Sequence, residues 1–141
     1  MNADDLLLQP AATIAQAVRE GRATASALTE ASLTRIAASD GAVNAFTDLT
    51  AERARASAAA LDQRLATGDE ATRALPLLGV PYAVKNLFDV AGLTTLAGSK
   101  IERGGPAALA DGPLVQRMDA AGAVLVGALN MDEYAYGFTT E

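Results

Sequence analysis

The chain has 141 residues, 50 % of them apolar and 20 % charged, with a mean hydropathy of +0.17; this composition supports a folded core and excludes a disordered tail. Its net charge of −6, with basic residues scattered along the chain, excludes a nucleic-acid-binding surface, and no apolar run approaches the length of a membrane span. Neither cysteine nor histidine occurs, which excludes a disulfide framework, a thiolate nucleophile, and imidazole as base or metal ligand.

The start, Met1-Asn2-Ala3-Asp4-Asp5, is acidic where a secretory signal is basic, so a cytoplasmic protein is expected. Ile14, Ala17 and Val18 fall at helical spacing and predict a helix over about Ala12 to Glu20, closed by Gly21. Thr24 is placed to cap a second helix, about Ala25 to Ser39, striped by Leu28, Ala31, Leu33 and Ile36 and stopped by Asp40-Gly41. Asn44 to Asp48 reads as a short strand or extended link. A third helix, about Ala51 to Ala66, has Thr50 as its expected cap and Gly68 as terminator. Gly68 to Ala74 reads as a polar loop.

Near Leu75-Pro76 the character changes from Ala-rich helix to Gly, Val and Pro in strand-and-turn order. This divides the chain into a helical segment, residues 1–76, and the start of an α/β core, residues 77–141. Leu77 to Val84 is a continuous apolar run of strand length that ends at Lys85. Leu93 to Lys100 is a small-residue, hydroxyl-rich loop without the Gly-x-Ser-x-Gly turn of a hydrolase elbow. Its hydroxyls, Ser99 among them, are expected to satisfy backbone groups. Asp111 is placed to cap a helix of about Pro113 to Ala121, and Ala123 to Gly127 follows as a short buried strand. Two apolar segments separated by a helix bury themselves side by side, so Val80 to Val84 and Ala123 to Val126 are expected as neighbouring core strands with the earlier helices packed outside them.

With histidine and cysteine absent, acid–base work near neutral pH falls to a carboxylate, a tyrosine, or one of two lysines, Lys85 and Lys100. At the end of an apolar strand the Lys85 ammonium is desolvated, which favours the neutral amine, a competent base. The same position also suits an amine that snorkels to water. The segment Asn130 to Gly137 follows a strand end, where open α/β sheets line ligand crevices. Its adjacent Asp132 and Glu133 suit the start of a helix, complementing the dipole, better than a metal.

Three groups of residues carry a resemblance: Gly79-Val80-Pro81-Tyr82-Ala83-Val84-Lys85 with Asp89-Val90-Ala91-Gly92 and Thr95-Leu96-Ala97-Gly98-Ser99; Asp111-Gly112-Pro113-Leu114-Val115-Gln116-Arg117 with Ala121-Gly122-Ala123; and Asn130-Met131-Asp132-Glu133-Tyr134-Ala135-Tyr136-Gly137. In this order, from Leu77 to Glu141, they resemble the amidase signature family around its catalytic lysine. The resemblance implies a mixed α/β sheet core flanked by helices, of which this chain holds the N-terminal part. It implies hydrolysis of an amide C–N bond by a Ser–cis-Ser–Lys triad in which Lys85 is the lysine; Tyr134, Ala135 and Tyr136 then contribute to the substrate pocket. Both serines of such a triad lie downstream of Glu141 in the family, so the chain alone is expected to be inactive. No cofactor and no metal are implied.

Asn86 departs from the aspartate that usually follows the lysine. In that respect the chain is similar to the branch of the family that acts on 1-carboxybiuret, a small urea-derived amide. Asn130-Met131-Asp132-Glu133 also occurs in the amide-cleaving component of glutamine-dependent tRNA amidotransferases. Both branches work with a small partner subunit, so a helical accessory protein and an oligomeric assembly are expected. The competing reading is a non-catalytic binding module complete at residue 141, with Lys85 structural or a ligand contact and the helical first half an interaction surface. An open reading frame that continues into a Gly/Ser-rich run distinguishes the two.

Overall fold

The computed structural model describes residues 2–137, so residues 138–141, the last of the resemblance, lie outside it. The acidic start forms a short helix, α1 (Ala3–Leu6), held by a capping box: the Asn2 side chain accepts the Asp5 N–H, and the Asp5 carboxylate accepts the Asn2 N–H. Then come α2 (Ala11–Arg19) and α3 (Ala25–Val43). Thr24 caps α3 as expected, its hydroxyl accepting the Ala27 N–H at 3.0 Å. Asp40-Gly41 does not stop this helix. The Asp40 carboxylate instead accepts the Ala45 N–H at 2.7 Å, beyond the helix end, and the chain leaves the helix where Asn44 turns left-handed at φ 55°.

Strand β1 (Phe46–Leu49) leads into α4 (Ala51–Ala66). Thr50 makes no side-chain cap here, because its hydroxyl donates to the Leu125 carbonyl at 2.8 Å and ties the helix start to the sheet. The polar stretch after Gly68 contains a helical turn, α5 (Glu70–Arg73), which the Asp69 carboxylate caps by accepting the Ala71 and Thr72 N–H groups. The apolar run that begins at Leu77 turns first and pairs only from Pro81, giving β2 (Pro81–Lys85). Gly79 makes that turn at φ +70°, where an added Cβ would stand 3.0 Å from the Ala25 Cβ. Helix α6 (Pro113–Ala120) and strand β3 (Val124–Leu129) complete the regular elements, with 3₁₀ turns at Lys100–Gly104 and Glu133–Ala135. Gly112, not Asp111, occupies the cap position of α6.

The sheet has the order β1-β3-β2. β3 runs parallel to β2, with Pro81 opposite Val124 and Lys85 opposite Leu129, and antiparallel to β1. The two apolar segments are thus neighbours, as expected, and the α6 crossover between them produces the parallel pairing. One core joins Leu6, Leu28, Leu61, Leu78, Val80, Val124 and Val126, with buried alanines 15, 17, 25, 54 and 58 allowing α2, α3 and α4 to approach closely. The Ala enrichment of the first half serves this packing. Val90, Val115 and Leu125 form a smaller cluster with the half-buried Tyr82, Val84, Phe88 and Leu93.

Asp111 is engaged elsewhere. It receives both Arg53 guanidinium nitrogens at 2.8 and 2.7 Å and the Ala91 N–H at 2.8 Å, while Arg53 also reaches Asp119 at 2.6 Å. This cluster joins α4, α6 and the loop after β2. The Arg53 guanidinium, helped by the Ala91 N–H, holds the Asp111 carboxyl below the usual carboxylate range. A carboxyl with a depressed folded-state pKa contributes stability that is complete above its unfolded value and lost as pH falls through the folded one. Asp111→Asn is therefore expected to cost about 1–2 kcal/mol at neutral pH. It is also expected to flatten the fall in Tm below about pH 4, measured by thermal melts across pH.

Candidate active site

Lys85 is the last residue of β2 and Asp132 lies just past the end of β3, so two adjacent parallel strands bring their C-terminal ends together at one place. There the Lys85 Nζ lies 3.3 Å from Asp132 Oδ1. The lysine side chain is 41 % exposed and the aspartate only 12 %. Within the described residues the amine thus reaches solvent, contrary to the desolvation expected at the end of an apolar run, while its partner is largely shielded. The Gly137 N–H, donating to Asp132 Oδ2 at 2.6 Å, and the Lys85 amine together hold the Asp132 carboxyl below the usual range. Asp132 is therefore a fixed negative charge at neutral pH.

The loop predicted from Leu93 to Lys100 packs against this point. Gly98 has φ +69°, and a Cβ there would meet the Met131 and Asp132 carbonyl oxygens at 2.5 and 2.7 Å. Ala97 (φ 47°), Tyr134 (φ 51°) and Ala135 (φ 57°) are all left-handed without being glycine, and the Tyr134 N–H closes the two segments by donating to the Ala97 carbonyl at 2.7 Å. Such backbone is costly and persists where the surroundings impose it, as they do at ligand sites. The loop hydroxyls serve both backbone and carboxylates. Ser99 accepts the Ile101 N–H at 3.3 Å, as expected, and donates to Glu133 at 2.6 Å; Thr94 donates to the Gly105 carbonyl at 3.2 Å, and Thr95 to Asp89 at 2.5 Å.

The Tyr134 hydroxyl donates to Glu102 at 2.7 Å, and Tyr136 is 94 % exposed. A largely apolar groove of about 410 Å³ runs along β2 to the lysine, lined by Tyr82, Val84, Lys85, Phe88, Leu114 and Met118. Tyr134, Ala135 and Tyr136 are not among its lining residues. Lys100 is exposed, on the 3₁₀ turn after the loop. Among the described residues no group of three or more acidic side chains is placed to hold a metal ion, and no helix is long and apolar enough to cross a membrane.

Two participants escape a reading by sequence. Asp132 does stand at a helix start, as the cap residue of the 3₁₀ turn, but its carboxylate also reaches Lys85, which the sequence did not indicate. Asn86, following the lysine, is 2 % exposed and bonds three segments at once.

A lysine at the mouth of an apolar groove, placed by parallel strand ends and backed by strained loops, belongs to an enzyme-like α/β core. The Amidase family model matches residues 27–141, and the chain belongs to the amidase family. It is 59 % identical over 128 residues to AtzE, a component of the 1-carboxybiuret hydrolase of Pseudomonas sp. (strain ADP), a match covering 91 % of this chain and 27 % of that protein. It is 42 % identical over 137 residues to a glutamyl-tRNA(Gln) amidotransferase component of Salinispora arenicola (strain CNS-205), covering 97 % of this chain and 27 % of that one. Among solved structures it superposes with a TM-score of 0.87 and 56 % identity on a chain of a vestigial protein complex that reveals the origins of an s-triazine catabolic enzyme, over 93 % of this chain and 28 % of that one. The native peptide amidase of Stenotrophomonas maltophilia gives a TM-score of 0.81 at 30 % identity, over 94 % of this chain and 27 % of that one. The chain thus spans about a quarter of the length of these relatives.

Proposed function

We propose that this chain is the N-terminal part of an amide C–N hydrolase and contributes the general base, Lys85. The observation that carries the reading is the position of the amine at the C-terminal ends of two parallel strands, at the mouth of the groove along β2. The C-terminal ends of parallel strands are where α/β sheets bind ligands. In its neutral form the Lys85 amine takes the proton of a serine hydroxyl as that oxygen attacks the amide carbon, and the Asp132 carboxylate beside it steadies the ammonium that results. In the family pattern a bridging serine relays this proton, and both serines come from downstream of Glu141. The amide C–N bond then breaks as the leaving amine takes that proton back from the lysine, and water hydrolyses the acyl-serine ester with the lysine again receiving the proton. Residues 77–141 open the catalytic core, and Tyr134, Ala135 and Tyr136, directly after the aspartate that touches the lysine, form part of the substrate wall once the remainder of the core is in place.

The substrate we propose is a small urea-derived amide of the 1-carboxybiuret kind, supported by the 59 % identity to a component of that hydrolase. A small helical accessory protein is the corresponding partner. A second reading, release of ammonia from glutamine, rests on the 42 % identity to the glutamyl-tRNA(Gln) amidotransferase component. Steady-state assays of the full-length protein with 1-carboxybiuret and with glutamine separate them: turnover of the first alone is expected, and turnover of glutamine alone overturns the substrate assignment. Lys100→Ala in the same assays is expected to change kcat/KM by less than about twofold and Tm by about a degree or less, since a solvated surface amine contributes little.

A further inference from the structure

We propose that Asn86 is a positioning residue for Lys85 and that its carboxamide is matched to the carboxylate of Asp48, so that neither group can change its charge alone without displacing the base. This rests on the reading of Lys85 as the base. Asn86 is 2 % exposed and every polar group it carries is used. Its N–H donates to the Leu129 carbonyl at 2.9 Å, and its carbonyl accepts the Ala97 N–H at 2.8 Å. Its side-chain Oδ1 accepts the Leu96 N–H at 2.9 Å, while Nδ2 donates to Thr47 Oγ1 at 2.7 Å and lies 3.5 Å from Asp48 Oδ2. The residue after the lysine is thus bolted to β1, β3 and the left-handed loop, and through Ala97 to the Tyr134 segment.

The chemistry at 86 is specified from both sides. Leu96 requires an acceptor. Thr47 has already committed its hydroxyl proton to the Ala128 carbonyl at 3.3 Å, so its oxygen requires a donor, as does the carboxylate of Asp48. A neutral amide meets both demands and a carboxylate does not. Asp48, from β1, is the ionisable group within reach of Nδ2. β3 and the segment Leu93 to Ser99 carry none. In its own turn, the side-chain ends of Lys85 and Asp89 meet Asp132 and the Thr95 hydroxyl instead.

Asn86→Asp places a buried acid against Asp48. Burial and a like charge both favour its protonated form, which can still donate as the amide does. Turnover of this variant relative to wild type is therefore expected to decline with rising pH, by about tenfold per pH unit once the new carboxyl ionises. Asp48→Asn added to it returns a donor to the pair and is expected to flatten the ratio. Asn86→Ala lowers turnover without a new pH dependence. The test is the pH profile of kcat for these three variants in the full-length protein, beside Tm over the same range. A flat ratio for Asn86→Asp, or a decline that Asp48→Asn leaves unrepaired, overturns the proposal. A coupling visible in Tm with turnover untouched also overturns the positioning role. Full activity of Lys85→Ala overturns the base reading instead, and leaves the Tm coupling of Asn86 and Asp48 to be read by itself.

Discussion

Replacing Lys85 with alanine is expected to lower kcat of the full-length enzyme by about 1,000-fold or more, the scale of losing a general base that works in concert with a nucleophile. The fold is expected to tolerate the change. The lysine side chain is 41 % exposed and its ion pair with Asp132 is long, 3.3 Å, and pairs open to water contribute about 1 kcal/mol or less. Thermal melts and kcat measured on one preparation check both halves of this expectation.

Gly98→Ala is expected to be nearly as damaging, for a different reason. The atoms its Cβ meets, at 2.5 and 2.7 Å, are the main-chain oxygens of Met131 and Asp132, which cannot rotate away as a flexible side chain could. Relief requires the whole segment to move, and Asp132 moves with it, away from Lys85. Steric overlap together with a left-handed φ of +69° is expected to cost about 2–4 kcal/mol. Activity falls further than the folded fraction does. Gly92→Ala is the matched control: its φ is +84°, but nothing lies within 4 Å of the added methyl, so only the conformational cost of about 1 kcal/mol applies. Urea melts of the two variants, with turnover normalised to folded protein, separate strain from collision.

The parts legible in the sequence are those set by local periodicity and by strong apolar runs. Leu28, Leu33 and Thr24 announce α3, and Val124 to Val126 can only be a buried strand, so both elements appear where expected. Two of the misreadings share one physical cause, the capture of a polar side chain by something distant in sequence. Thr50 abandons its helix for the Leu125 carbonyl, and Asp111 abandons its own for Arg53. Asp40 differs, staying within α3 while its carboxylate holds the nearby Ala45 and Phe46 N–H groups. Local rules rank Thr and Asp as caps, and tertiary contacts override them. The same applies at the site. Lys85 stands out because a charge ends an apolar run, whereas Asp132 and Asn86 acquire their roles only when β3 is laid beside β2 and β1 beside β3. The left-handed turns at Ala97, Tyr134 and Ala135 carry no sequence signal at all, since none is a residue that favours that conformation.

The role of Lys85 is tested most directly by chemical rescue. In the full-length Lys85→Ala protein, confirmed as folded, amide hydrolysis is measured with increasing concentrations of a small primary amine. Removing the amine leaves room beside the substrate for a soluble base, so the rate should rise in proportion to the free-base amine from a floor about 1,000-fold below wild type. Hydrolysis by Lys85→Ala within a few-fold of wild type, with no amine added, would contradict the assignment of Lys85 as the base.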